Sequence, residues 1–185
     1  MRWKTLAAAL AAALLLAGCP GLFFEAPEGD NPLDPDVGIN LEDIPFDDED
    51  LRQLIYDTDQ QDDRGAPGPD TNSGDVRYIN GWEMFGEVES LGGVEYLGKL
   101  EEIRLNYVTW GDDNRVVGGT ISTLAPVAQL DDLRVILANN SRVTDLSPLA
   151  GMDSLDTVQF AGCDIASLAP LYNLDINFLG LSGPN

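Results

Sequence analysis

A repeat with a period of about 22 residues in the last third of the chain constrains its fold more than any other feature. Three successive blocks carry the same apolar, proline and aspartate positions. The equivalent residues are Ile121, Val143 and Ile165; Leu124, Leu146 and Leu168; Pro126, Pro148 and Pro170; Val127, Leu149 and Leu171; Leu130, Met152 and Leu174; and Asp131, Asp153 and Asp175. A fixed period of this length is typical of a solenoid, whose coils bury their apolar edges only against neighbouring coils.

Within one block, the apolar residues predict a short strand. Residues 155–165 follow the spacing L-x-x-L-x-L-x-x-N/C-x-I. Because side chains alternate along a strand, residues 157–161 place Val158 and Phe160 inward and the other three residues outward. The stacked blocks therefore predict a parallel sheet with a buried face and an open face.

The block VTDLSPLAGMDSLDTVQFAGCD at residues 143–164 resembles the repeats of internalin-type bacterial leucine-rich repeat proteins. The stretch LGGVEYLGKLEEIRLN at residues 91–106 resembles another repeat of that family. The resemblance covers residues 46–185 and implies an α/β fold, a short leucine-rich repeat solenoid with a parallel concave sheet and a helical N-terminal cap. It implies about four or five coils. It also implies a role in adhesion or protein–protein contact.

Residues 1–18 are predicted to be a lipoprotein signal peptide. Arg2 and Lys4 precede an Ala/Leu run at residues 6–16, which is too short to cross a bilayer comfortably. The run ends in Leu-Ala-Gly-Cys, which resembles the bacterial lipobox and predicts lipidation of Cys19. The alternative is an ordinary secretory signal with a chance cysteine. We expect a lipid-anchored protein of the bacterial cell envelope, at the outer membrane or cell surface rather than the inner membrane.

Residues 19–45 are predicted to be an acidic, Pro-rich tether without a core of their own. The whole chain holds 32 acidic and 10 basic side chains, for a formal net charge of −22. This balance disfavours nucleic acid as a partner, because phosphates require cations. It also opposes contact with an anionic membrane surface, so we expect membrane contact through the N-terminal lipid only.

Residues 46–75 are predicted to form a cap helix and a following loop. We expect the helix at residues 46–56, with Asp47 as N-cap and Phe46 and Leu51 as a hydrophobic staple. The acidic run at residues 47–50 suits the positive end of the helix dipole, and a metal site is its alternative. The segment DTNSGD at residues 70–75 is faintly similar to a calcium loop but lacks its spacing.

Residues 76–185 are predicted to be the repeats, with residues 76–89 as a degenerate first turn whose aromatic side chains, Tyr78 among them, lie in the core. An insertion of about 11 residues interrupts the period at residues 109–119. Trp110 and Arg115 within it are of types enriched at interfaces, so the insertion is either a binding loop or a hairpin without a partner.

The last block lacks one residue between Leu174 and Ile176, and no polar capping element follows it. Uncovered coil ends favour association. Two hypotheses follow: the chain forms a homo-oligomer through its C-terminal repeat, or it is truncated relative to its relatives.

The sequence offers no catalytic constellation, so we expect no enzyme activity, no cofactor and no metal site. It contains no His, which removes the usual general base and a common metal ligand. Cys163 is predicted to be a buried, inert thiol beneath a strand. With Cys19 acylated, no internal disulfide can form.

Surface recognition remains, and we expect a protein or glycan ligand at the concave face and the insertion. The candidate binding residues are Arg104, Asn106, Trp110, Arg115, Val135, Leu137, Asn139, Gln159 and Phe178. Apolar residues on an open sheet face favour a contact patch, whereas a one-residue register error would place them inward. The alternative function is a structural envelope protein that self-assembles through its last repeat.

Overall fold

The fold is described by a computed structural model that covers residues 38–59, 72–81, 88–106 and 119–183. These residues belong to one compact unit, Asn31–Asn185. The signal peptide, Cys19, Trp110 and Arg115 lie outside the described residues. None of the described helices is long and apolar enough to span a membrane.

Five parallel strands form one open sheet in which every strand pairs with its neighbour along the chain. They are β1 (Tyr78–Gly81), β2 (Glu102–Asn106), β3 (Val135–Asn139), β4 (Thr157–Ala161) and β5 (Phe178–Ser182). Parallel neighbours in chain order require each connection to return to the same end of the sheet, which is the path of a solenoid coil. The predicted leucine-rich repeat solenoid is confirmed.

The strand register confirms the period and both of its interruptions. Val135 of β3 pairs with Thr157 of β4, which is the equivalent residue of the next block and gives the regular step. Glu102 of β2 pairs with Val135 across a step longer by half a block, so the insertion lies between β2 and β3. Thr157 pairs with Phe178 across a step shorter by one residue, as expected from the deletion in the last block.

The core repeats the same seven positions in each complete coil. In the coil that ends in β3, every one of these side chains is at most 1% exposed. They are Ile121, Leu124, Val127, Leu130, Leu133, Ile136 and Ala138. Burying one large aliphatic side chain contributes about 1.5–3 kcal/mol, so the stacked coils supply most of the stability of the fold.

The connections opposite the sheet are 3₁₀ turns rather than α-helices. They are Val94–Tyr96, Ala125–Gln129, Ser147–Leu149 and Ala169–Leu171. The last three carry a repeated proline in their first turn, where a backbone donor is not needed. Just before the turn in the β4 coil, Asp145 accepts hydrogen bonds from the hydroxyl and N–H of Ser147 at 2.7 and 2.8 Å. These bonds hold the pKa of the Asp145 carboxyl below its usual range.

A left-handed residue ends the strand in two successive coils. Asn140 has a φ of 55° after β3, and Gly162 has a φ of 79° at the equivalent position after β4. A Cβ at residue 162 would lie 2.2 Å from the Asn140 Oδ1 atom, so the two turns stack only because residue 162 is glycine.

Charged side chains alternate in sign along the edge where the strands begin. The residues that precede the five strands are Arg77, Glu101, Arg134, Asp156 and Asn177. Arg77 Nη1 lies 3.1 Å from Glu101 Oε1. The Asp156 carboxylate accepts hydrogen bonds from the Asn177 amide and the Thr157 hydroxyl, which together with the nearby Arg134 charge hold its pKa below its usual range. Each carboxylate thus has a basic or amide partner one coil away.

The cap helix α1 spans Glu49–Asp59, so it begins later than expected, and its N-cap is Asp48 rather than Asp47. Asp48 Oδ1 accepts the N–H groups of Asp50 and Leu51 at 2.9 and 3.2 Å. The predicted hydrophobic staple between Phe46 and Leu51 is therefore wrong, because it required Asp47 as the N-cap. The Phe46 ring instead lies 5.5 Å from the Arg52 guanidinium carbon.

Residues 38–44 belong to the folded cap, so the boundary predicted for the tether at residue 45 is wrong. Leu41 and Ile44 are each 1% exposed within the core. The Ser73 N–H donates to the Ile39 carbonyl at 2.7 Å, and the Ser73 hydroxyl accepts the Ile39 N–H at 3.0 Å. This segment has no proline and carries three apolar side chains, Ile39, Leu41 and Ile44, among its acidic residues.

Candidate binding face

The side of the sheet opposite the core, here called the outer face, is the concave face of the sequence prediction. Its described members, which face away from the core, are Tyr78, Asn80, Glu102, Arg104, Val135, Leu137, Asn139, Thr157, Gln159, Ala161, Phe178, Gly180 and Ser182. The strand register joins them into cross-strand rows, of which one runs Tyr78–Glu102–Val135–Thr157–Phe178. The predicted inward and outward positions are therefore right for β2 to β5, and the one-residue register error is excluded there.

The outer face is electrically neutral in a strongly acidic chain. Glu102 and Arg104 are the charged residues among its described members, and they neutralise each other. Arg104 Nε lies 2.7 Å from Glu102 Oε2, with about a third of each side chain exposed. An exposed pair of this kind contributes at most about 1 kcal/mol to stability. Its larger effect is to leave this face without the repulsion that the net charge of −22 produces elsewhere.

Val135 and Leu137 are buried, although they lie on the outer face. They are 8% and 5% exposed, so the expectation that they form an open apolar patch was wrong. In the rows, Leu137 lies between Arg104 and Gln159, whose side chains are longer. The burial of Leu137 thus leaves little of its side chain available for contact with another molecule.

Asn139 has a structural part in the fold. Its Oδ1 atom accepts the Ala161 N–H at 2.8 Å, which ties the end of β3 to the end of β4. The side chain is half-buried in this position. Asn106 of β2 pairs with Asn139 in the strand register.

Gly180 provides a hollow in the outer face that two neighbours occupy. A Cβ at residue 180 would lie 2.8 Å from Gln159 Cγ and 3.1 Å from Phe178 Cε1. The absence of a side chain thus lets Gln159 and Phe178 lean over β5. Of the predicted binding residues in the described chain, Phe178 is the most exposed, at 52%.

Tyr78 is the outer-face residue that the sequence interpretation missed. It was expected in the core, yet it is 37% exposed at the β1 end of the row that Phe178 completes at β5. The sequence signal that could have placed Tyr78 is the neighbouring apolar residue Ile79. Ile79 is fully buried, and because side chains alternate along a strand, Tyr78 points outward. The outer face is consequently bordered by an aromatic side chain at each end.

The described residues contain no group of three or more His, Cys, Asp and Glu side chains arranged to hold a metal ion. Cys163 is buried beneath β4, as predicted. Its Sγ atom lies 3.4 Å from the Ala138 carbonyl oxygen and 3.3 Å from the Ser141 hydroxyl oxygen, one coil earlier. Ser141 and Cys163 occupy equivalent positions and satisfy each other within the core.

The strand register and the repeated core together define a leucine-rich repeat solenoid. Internalin F from Listeria monocytogenes is 21% identical over 80% of this chain and 46% of its own, with a TM-score of 0.42. Internalin C2 from the same species is 14% identical over 78% of this chain and 96% of its own, with a TM-score of 0.27. This chain thus spans less than half of internalin F. No protein-family model and no curated protein matches the sequence.

Proposed function

We propose that this protein is a non-catalytic recognition module that binds a protein through the outer face of its sheet at the bacterial cell envelope. The observation that carries the proposal is the neutral, aromatic-bordered outer face on a chain with a net charge of −22. An acidic chain gains solubility from its charge, but a recognition surface gains affinity where like charges are removed.

The composition of this face favours a protein ligand. Protein interfaces are enriched in aromatic residues and arginine and depleted of other charges. Tyr78, Phe178 and Arg104 match this composition, and all three are at least partly exposed. A glycan ligand, which also stacks on aromatic rings, is the competing hypothesis.

The rigidity of the sheet suits this role. Each strand of the face is held by a neighbour in register, and the core beneath is at most 1% exposed in the β3 coil. A surface that is already ordered loses little conformational entropy when it binds, so more of the contact energy appears as affinity.

The anchor is proposed from the sequence. Lipidation of Cys19 after removal of residues 1–18 would tether the module to the envelope, at the outer membrane or cell surface. Incorporation of labelled palmitate by the wild-type chain, and its loss in Cys19→Ser, would support the anchor. Unchanged labelling in the variant would contradict it.

The experiment that tests recognition is capture from an envelope extract by immobilised residues 20–185. We expect Tyr78→Ser with Phe178→Ser to weaken capture at least about fivefold, the effect of losing a contact worth about 1 kcal/mol. Tyr172→Ser is the matched control, because Tyr172 is 78% exposed but lies off the outer face. Equal capture by wild type and the double variant would contradict the proposal.

Treatment of the extract separates the two ligand classes. Protease digestion should abolish capture and periodate oxidation should leave it intact if the ligand is a protein. The reverse pattern would establish the glycan hypothesis. The structural alternative, an envelope protein built by self-association of the last repeat, retains the same anchor and uses the end of the sheet instead of its outer face.

A further inference from the structure

The last coil exposes side chains at positions that the preceding coils bury. Leu168 is 36% exposed, whereas its equivalents Leu124 and Leu146 are at most 1% exposed. Leu179 is 45% exposed, whereas its equivalent Val158 is fully buried. These residues face the side of the coil that no described element covers, and we call Leu168 and Leu179 the end patch.

The backbone at the end patch has free hydrogen-bonding capacity in one direction. The Phe178 N–H donates to the Asp156 carbonyl, and the Ser182 carbonyl accepts the Gly162 N–H, so both groups face the β4 side. Since backbone groups alternate in direction along a strand, those of Leu179 and Leu181 point away from β4. β5 is therefore an edge strand with donors and acceptors directed outward.

The opposite edge of the sheet is different. The core side chains of helix α1, Leu51 and Ile55, share one buried cluster with Ile79 of β1 and are each at most 2% exposed. The cap thus covers the core next to β1, whereas the described residues place nothing comparable next to β5. The two ends of the stack are not equivalent.

The stretch of sequence that contains the end patch has few charged residues. From residue 165 to residue 183, Asp175 is the single charged residue, although the chain as a whole carries 32 acids. A second copy of this chain, with its net charge of −22, therefore meets only Asp175 as a like charge within this stretch.

We propose that β5 pairs antiparallel with β5 of a second copy across a two-fold axis, forming a closed dimer that buries the end patch. Under such an axis the same patch serves both copies, so Leu179 and Leu181 of one copy extend the core side of the other. Because both copies use the same edge, the contact closes at two copies, which distinguishes it from an open assembly. This proposal does not depend on recognition by the outer face.

Sedimentation equilibrium of the full chain in density-matched detergent tests the proposal. We expect a monomer–dimer equilibrium without higher species. Raising NaCl from about 0.05 to about 0.5 M should tighten it, because salt screens the repulsion between two acidic copies. Leu179→Lys and, on a different element, Leu168→Glu should each weaken dimerisation at least about tenfold, because each places a charge inside the contact.

Tyr78→Lys is the control, since Tyr78 is also a large exposed hydrophobic side chain but lies at the β1 end of the sheet. It should dimerise as the wild type does. A monomer at every concentration, a series of larger species, or a dimer that both Leu179→Lys and Leu168→Glu leave intact would overturn the proposal. Circular dichroism of each variant is the check that it is folded. We expect both to fold, because Leu179 and Leu168 are exposed enough to accept polar replacements.

Failure of this proposal can be told from failure of the proposed function. If Leu179→Lys or Leu168→Glu loses dimerisation but keeps capture from the extract, dimerisation and recognition use separate surfaces and both proposals stand. Tyr78→Lys reduces capture without changing the dimer if both proposals hold. If Tyr78→Lys alone abolishes dimerisation, the contact lies on the outer face and the end-patch dimer is refuted.

Discussion

Asp48 and Ser90, far apart in the sequence, are joined by a hydrogen bond of 3.1 Å from the Ser90 N–H to Asp48 Oδ2. The same oxygen accepts the Glu89 N–H, while Oδ1 caps helix α1 through Asp50 and Leu51. One buried carboxylate therefore connects the cap to the coil that leads into β2. The neighbouring Gly92 leaves room for the Asp47 side chain, because a Cβ there would lie 2.1 Å from Asp47 Oδ2.

Replacing Asp48 with Ala should destabilise the fold by about 2–4 kcal/mol, since it removes a helix cap and leaves buried N–H groups without an acceptor. Asp47→Ala should change stability by at most about 0.5 kcal/mol, because Asp47 is exposed and caps nothing. Urea denaturation measures both. A larger effect at Asp47 than at Asp48 would contradict the observed N-cap.

Gly162→Ala should be more destabilising than Gly151→Ala, although both glycines have a φ of 79°. The left-handed conformation alone costs an alanine about 1–2 kcal/mol at either site. At residue 162 the new Cβ also meets Asn140 Oδ1 at 2.2 Å, whereas nothing lies within 4 Å at residue 151. The difference in free energy of unfolding between the two variants, measured by urea denaturation, gives the cost of the contact between the new Cβ and Asn140. Equal losses of stability would show that the stacked turns relax freely.

Removing the Asn177 side chain should lower stability near neutral pH and have less effect in acid. The hydrogen bond from Asn177 is the main cause of the lowered Asp156 pKa, whose ordinary value is 3.8. A lowered native pKa contributes stability above the unfolded value, and this contribution is lost as pH falls through the native value.

The melting temperatures of wild type and Asn177→Ala should therefore differ at about pH 7 and converge at about pH 2. Asn173→Ala serves as the control for the simple loss of one exposed amide, and its effect on the melting temperature should be the same at both pH values. A wild-type advantage that persists unchanged in acid would show that Asn177 stabilises the fold without its Asp156 partner.

Leu146→Ala should cost about 2–5 kcal/mol, the range for a buried large-to-small replacement in a core that cannot collapse fully. Leu168→Ala, at the equivalent position one coil later, should cost clearly less because Leu168 is already 36% exposed. Denaturation at a concentration low enough to keep the chain monomeric compares the two. Equal losses would mean that the last coil is as well packed as the one before it.

The repeat could be predicted from the sequence because its signals are local. The recurrence of Leu124, Leu146 and Leu168 specifies a coil length, and alternation around Val158 specifies which side chains face inward. The insertion before β3 and the deletion before β5 were also visible, since each shifts the period by a countable amount. All of these follow from chain geometry that every coil shares.

The cap and the exposure of the outer face were harder to predict because they depend on contacts between distant segments. Asp47 and Asp48 are chemically identical neighbours, and only the N–H groups of Glu89 and Ser90 decide which carboxylate is buried. Leu137 was predicted to be open to solvent, yet it is 5% exposed between Arg104 and Gln159.

Residue type and spacing along one chain specify the length of the coil and the inward and outward faces of β2 to β5. Packing between distant segments specifies which outward side chains are exposed and which end of the stack the described residues leave uncovered. Those properties arise from packing between coils and cap, and no local pattern encodes them.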